Sequence, residues 1–428
     1  MFRKAICLLV PMSIAIEVDV GSRVFAAEIA LPFFAAGFLL TQKHWGDTRY
    51  LLAIANLGAS YLLLQICSDI WNESSFDQYS RGWARILLFL INLASIFIIT
   101  NHSRNNIILF AIGFSLGRIF ITILNLEGDV IPWKIGFAKP VAILLILSLI
   151  LLTKHTDWKE TIIGVMLVAL GLFDITMDFR SHGFVLICTA IFIMTPVVLR
   201  FCFYKHQSPS IPPAFCIIIA SAISIFGTYL FYSYAANVGW LSEAATKKFE
   251  AQVESTDVPI LVAGRSEVLV YFEAVSDSPL LGHGSWPTDA YYAEKLARER
   301  FQHGLSSRQI VPTEDSIPMH SHVFGSWIEA GIVGGIFWAY IISLIVRSIL
   351  ASTLGVSPMR PLYLYATLLL CWDVLFSPFS GFRRLETAFL IVVMLRSLHQ
   401  RRTTSQVDMS RLVDRRHIRV QRMHRSKV

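Results

Sequence analysis

Apolar residues along this chain fall in long blocks separated by short polar breaks, near 5–18, 25–41, 51–69, 85–100, 106–124, 136–152, 161–179, 184–203, 212–235, 323–350, 361–379 and 384–399. A helix needs about 20 residues to cross a hydrocarbon core. Amides and carbonyls in lipid must find partners within the segment, so blocks of this length predict helices, and the alternating pattern of barrel strands is not seen. The expected fold is an all-α polytopic membrane protein with about 12 transmembrane helices. The first block is short and also reads as a signal-peptide core, with Arg3-Lys4 ahead of it and Phe25-Ala26-Ala27 as a cleavage site. Glu17 and Asp19 beside it fit a helix end better. One long interruption, residues 236–321, breaks the pattern. A connection this long is either functional or unstructured, and its aromatic and apolar residues recur at helical spacing, which predicts a folded segment. The chain thus divides into helices over 1–235, a large loop over 236–321, helices over 322–399 and a tail over 400–428.

Composition agrees: 54% of residues are hydrophobic and 16% charged, against roughly a quarter charged in soluble domains. Charge decides orientation. Arg3, Lys4, Lys43, Arg49, Arg104, Lys154, Lys159, Arg200, Lys205, Arg347 and Arg360 fall on one side with the tail, and Arg23, Arg81, Lys134, Arg180, Arg383 and Arg384 on the other. The richer side is cytoplasmic by the positive-inside rule. Both termini are then cytoplasmic, and the large loop faces outward, into the periplasm if the host is a bacterium with an inner membrane. The tail from Arg396 to Lys427 holds ten Lys or Arg and reads as a segment lying on anionic lipid. Nothing around it supports nucleic-acid binding. All six cysteines (Cys7, Cys67, Cys188, Cys202, Cys216, Cys371) sit in or beside apolar blocks, as small core residues do.

Polar residues worth attention gather in and around the loop. Gly264-Arg265-Ser266 opens a helical pattern at Val268, Leu269, Phe272 and Val275, with Ser266 as the expected N-cap, and Asp277-Ser278-Pro279 stops it. Leu281-Gly282-His283-Gly284 predicts a tight turn. A second helix, Ala290 to Gln302, places Tyr291 or Tyr292, Leu296 and Phe301 on one face, as in a helix resting on a membrane surface. Arg180 lies at the external end of the seventh span, as a headgroup anchor or an anion ligand. Arg118 lies inside an apolar span, where a cation pairs with a carboxylate (Asp174, Asp178 and Asp373 are available) or faces a cavity. His320-Ser321-His322 ends the loop. Two histidines at this spacing, with no further ligand at a suitable interval, are a weak metal signal. No nucleophile elbow, P-loop or H-E-x-x-H helix is found.

His320-Ser321, nine residues, Gly331, two residues and Gly334, preceded by Gly264-Arg265 and Ser278-Pro279-Leu280-Leu281-Gly282-His283-Gly284, resemble the signatures of the O-antigen ligase and Wzy-type polymerase family over residues 236–340. The resemblance implies a GT-C-like fold and a metal-independent, inverting glycosyltransferase without cofactor, working at the periplasmic face of the inner membrane. Its donor is a glycan on undecaprenyl pyrophosphate. Its acceptor is lipid A-core for a ligase or another lipid-linked repeat for a polymerase of O-antigen or exopolysaccharide, alongside other polysaccharide-assembly proteins. His320 matches the family histidine, Arg265 the loop arginine and Arg180 an arginine at an earlier helix end. Those types suit the chemistry: a guanidinium holds phosphate oxygens in bidentate fashion, and a histidine can accept the proton of a sugar hydroxyl. Arg118 joins them as a further candidate pyrophosphate ligand, and Glu329 and His322 as supporting residues, Glu329 by orienting His320 or by packing. Gly331, Gly334 and Gly335 are expected to permit close helix contact. A lipid-linked oligosaccharide flippase would instead spread its charges through a central cavity, and a non-catalytic assembly partner would use the loop for docking.

Overall fold

A computed structural model describes residues 1–19, 23–41, 48–126, 132–153, 158–203, 213–254, 256–305, 315–355, 357–381 and 383–400. The basic tail beyond 400, with Lys43, Lys154 and Lys205 of the charge pattern, lies outside the described residues, as do the side chains of Arg23, Arg200, Cys202 and Cys216. The chain is almost wholly helical: α1 (Phe2–Met12), α2 (Ala26–Thr41), α3 (Arg49–Trp71), α4 (Phe76–Thr100), α5 (Arg104–Leu124), α6 (Ala138–Leu152), α7 (Lys159–Thr176), α8 (Arg180–Phe203) and α9 (Pro213–Asn237) precede the long segment. That segment carries α10 (Glu243–Phe249), α11 (Ile260–Ala263), α12 (Val268–Asp277) and α13 (Ala290–Gln302); α14 (His322–Leu354), α15 (Arg360–Phe376) and α16 (384–400) follow. Among the described residues, six helices are long and apolar enough to cross a membrane: α3, α4, α5, α6 with the turn before it, α8 and α14. This agrees with an all-α membrane protein.

Small residues set the closest helix contacts. Gly113 and Gly117, one turn apart on α5, lie against the backbone carbonyls of Leu8 and Met12, and Ile6, Cys7 and Val10 of α1 are buried there. The first block is thus packed into the bundle. It ends earlier than the apolar pattern predicts. A turn at Ser13–Ala15 leads into a short antiparallel hairpin pairing Glu17–Asp19 with Arg23–Phe25, so Glu17 sits in a strand and not at a helix end. Gly171 and Gly183 similarly bring α7 and α8 backbone to backbone. One continuous apolar core, including Trp338, Tyr365, Phe89 and Phe389, joins helices from both halves of the chain.

Ionic side chains concentrate at the end of the bundle where the long segment attaches, here called the loop end. Arg384 pairs with Glu28, which also accepts from Asn92. Asp373 holds Lys139 and Arg383, and Glu386 holds Lys139. Asp174 binds His182 and Trp133, and Asp178 binds Lys134 and Lys248. The three aspartates considered as partners for Arg118 therefore engage other cations or donors. Arg118 donates to the Ile135 carbonyl at 3.0 Å.

Candidate active site

The long segment attaches at two places. In the first, residues 282–286 enter between α3, α4 and α14. The helical run His322–Leu354 is broken at Ala330 and Gly331, the latter at φ 63° and ψ −156°, a region essentially restricted to glycine. The break frees carbonyls that an unbroken helix would use, and the segment supplies donors: His283 N–H to Ile328 O at 2.7 Å and Gly284 N–H to Glu329 O at 3.1 Å. Asp69 on α3 accepts from the Ser285 amide (2.5 Å), the Ser285 hydroxyl (2.8 Å) and the Trp83 indole (2.7 Å). Gly282, at φ 79°, lies against the backbone of Glu329 and Gly331. The tight turn predicted at 281–284 is thus formed, and its glycines serve close approach to α14. The atoms nearest Gly334 and Gly335 are those of Ser326 and Trp327, across the break in their own helix.

Glu329 belongs to this attachment. It is buried, pairs with Arg85 of α4 and accepts from the Trp286 amide at 3.3 Å. It does not orient His320. Two helical turns beyond the start of α14, its side chain is directed to α4.

The second place is the candidate site. α11 passes through a turn at 264–267 into α12, and this turn carries both Arg265 and Glu267. Ser266, expected to cap α12, is buried, and Glu267 takes the cap position with helical backbone and no capping hydrogen bond. The turn is already helical, so the first amides of α12 find the carbonyls of residues 265–267 and need no hydroxyl. The Glu267 carboxylate stands 3.4 Å from His320 Nδ1. One turn along α12, the Tyr271 hydroxyl accepts the His320 backbone N–H at 2.6 Å; burial raises the Tyr271 phenol above its usual range, so it remains protonated. The His320 side chain keeps 49% of its surface exposed. Ser321 caps α14, accepting from Phe324 N–H at 3.4 Å, and donates to Val374 O at 3.2 Å.

Arg265 is fixed by two backbone carbonyls, Phe376 O at 2.8 Å from Nε and Gly264 O at 2.7 Å. Burial pulls its guanidinium below the usual range; Glu267 and Tyr271 work against that shift, and Arg383 and Arg180 add to it. Arg180 donates to Gln252 at 2.7 Å and lies over the Tyr232 ring at 4.9 Å. Arg383 is held by Asp373 at 2.7 Å. Two arginines from separate elements thus bear electrostatically on Arg265. Such a concentration of like charge favours an anion. Arg118 sits instead on α5, which packs with α1, α4 and α6.

The two histidines separate. His322, the first residue of α14, is fully buried, its Nδ1 2.6 Å from Ser377 O and its ring against Trp338 and Phe379. It shares no partner with His320. Residues that the sequence pattern did not single out are Glu267, Tyr271 and Arg383. Glu267 carried one signal, its place two residues after Arg265; Arg383 registered only as one of the charges on its side. Among the described residues no group of three His, Cys, Asp or Glu is placed to hold a metal ion. No family model, curated protein or solved structure matches this chain.

Proposed function

We propose that this chain is an inner-membrane glycosyltransferase of the O-antigen ligase type, moving a glycan from undecaprenyl pyrophosphate to lipid A-core at the periplasmic face. In this reading it has about twelve spans, a GT-C-like arrangement and both termini in the cytoplasm. The observation that carries it is a half-exposed histidine, backed by a carboxylate, on the same attachment as a two-carbonyl-anchored arginine that feels two more arginines. A transferase acting on a diphosphate donor needs those parts. The guanidinium groups of Arg265, Arg180 and Arg383 hold the diphosphate and take up the charge that grows on it as the glycosidic bond breaks. His320 accepts the proton of the attacking hydroxyl. The hydroxyl oxygen bonds to the anomeric carbon from the face opposite the leaving group, the electron pair of the broken bond stays on undecaprenyl pyrophosphate, and configuration inverts. Clustering of these residues at the loop end also speaks against a flippase, which needs charge along a central path.

The test is the lipopolysaccharide of a deletion strain carrying wild type, Arg265→Ala or His320→Ala, with the amount of inserted protein measured in each. The expected result is lipid A-core without polymer and accumulation of long lipid-linked chains for both variants. A single repeat on the core assigns a polymerase, and loss of a secreted polysaccharide with intact lipopolysaccharide assigns an exopolysaccharide polymerase. Normal glycans with both variants overturn the enzymatic reading.

A further inference from the structure

We infer that Glu267 is the positioning residue for His320, forming a carboxylate–imidazole pair that sets which ring nitrogen faces substrate and keeps that nitrogen basic. The inference rests on the transferase reading above. Three features carry it. The carboxylate oxygen lies 3.4 Å from Nδ1, so Nε2, on the other side of the ring, is the nitrogen left to meet an acceptor hydroxyl. The Glu267 side chain caps nothing at the start of α12, although a residue at that position commonly bonds the first amides. The His320 backbone is tied to Tyr271 of the same helix, so the two members of the pair are referenced to one rigid element.

Charge gives the pairing its purpose. His320 is met by Glu267 and Tyr271, and Arg265, two residues before Glu267 in the same turn, is acted on by Arg180 from the start of α8 and Arg383 from the connection between α15 and α16. The three arginines are permanent cations. A cation-rich site suits a diphosphate but penalises an imidazole that must become imidazolium during transfer. A carboxylate on Nδ1 offsets that penalty, as paired carboxylates do for catalytic histidines elsewhere. In the step, the acceptor O–H proton moves to Nε2 as the new C–O bond forms and the diphosphate leaves. The imidazolium stays beside Glu267 until its proton passes to water.

Diethyl pyrocarbonate, which acylates neutral imidazole, tests this on the full-length protein in detergent without any glycan substrate. Acylation of His320, localised by fragment ions within the peptide it shares with His322, is followed by mass spectrometry from pH 5 to 8 in wild type, Glu267→Gln and Glu267→Asp. The midpoint is expected to fall by about half a pH unit in E267Q, since an opposite charge favours the protonated ring and solvent weakens the effect at a half-exposed group. E267D is expected between the two. Modification at His322, protected by burial and distinguished from that at His320 by fragment ions of their shared peptide, reports that the fold is kept; if E267Q exposes it, the comparison is read from E267D. A wild-type midpoint in the folded variants overturns the pairing and leaves the transferase reading standing. Normal transfer by His320→Ala overturns the transferase reading and leaves the pairing standing. In cells, E267Q is expected to slow polymer transfer roughly tenfold or more, with E267D partly restoring it; wild-type transfer by E267Q overturns the inference.

Discussion

The long segment between α9 and α14 meets the helical bundle twice, and the two contacts are built on opposite terms. At residues 282–286 backbone amides, a serine and a tryptophan are matched to Asp69, Ser68 and the carbonyls freed by the Gly331 break, over a buried Arg85–Glu329 pair. Around 264–267 and 320 the side chains of Arg265, Glu267 and His320 are only partly buried, and the three arginines outnumber the two carboxylates, Glu267 and Asp373, set against them. The first contact pairs most of its polar groups internally, Arg85 Nε and Gln65 Oε1 being exceptions, and such a network favours one geometry. The second holds each residue by one or two bonds and leaves its charge unbalanced, the condition for taking up a ligand. A rigid attachment elsewhere on the same segment is what allows the site to be held in place while its own side chains remain available.

Breaking the rigid contact should have the largest effect on the fold. Glu329→Ala leaves Arg85 buried without its partner, a loss of about 3–5 kcal/mol, read as a lowered unfolding temperature of the purified protein together with lost transfer. Wild-type stability in this variant would mean the pair does not anchor the segment. At the second contact the balance reverses. Arg265→Ala is expected to slow transfer by roughly 10²–10³-fold while the unfolding temperature stays within a degree or two of wild type; equal losses in both measurements would erase the distinction between the two regions.

Gly331→Ala sharpens the comparison from the backbone side. A Cβ there meets the Leu280 carbonyl at a positive φ, and such strain amounts to about 1–3 kcal/mol. Stability is expected to fall first, and hydrogen exchange at the amides of His283 and Gly284 to rise with it; protection equal to wild type would dissociate the break from the attachment. The smallest effect lies at the surface of the segment. Hydrogen bonds from Lys295 and Tyr291 hold the Glu273 carboxyl below its usual range. The folded value being lowered, its contribution is present above the ordinary glutamate range and is lost as pH falls through the lowered value. Faster exchange of α13 amides in Glu273→Gln than in wild type is therefore expected at pH 6 and should vanish near pH 3. A difference that persists at low pH would mean that the charge of Glu273 is not what holds α13, and no difference at pH 6 would leave the attachment to Tyr292 and Leu296.

Elements with local causes were legible beforehand. α13 spans Ala290–Gln302 as its apolar spacing predicts, α12 stops at Asp277 ahead of Pro279, and positive φ falls on Gly282 and Gly284. Features that depended on side-chain direction were not. Ser266 looked like a cap because the preceding turn of helix has no apolar signature, and Glu329 looked available to His320 because both lie near the start of α14. Arg118, inside an apolar span, and Arg180, at the end of one, were both candidate pyrophosphate ligands, yet α5 and α8 deliver them to different surroundings.

Apolar blocks, punctuating prolines and glycines, and the loop that interrupts them were determined by the sequence alone, because burial of backbone in apolar surroundings and the φ limits of single residues act over a few positions. Which of two histidines, two residues apart in the chain, would face solvent was decided by the tertiary structure. His322 is enclosed by Trp338 and Phe379, and His320 is met by a carboxylate 53 residues earlier in the chain. Pairings of that kind depend on how helices distant in sequence are rotated against one another, and no local preference encodes that rotation.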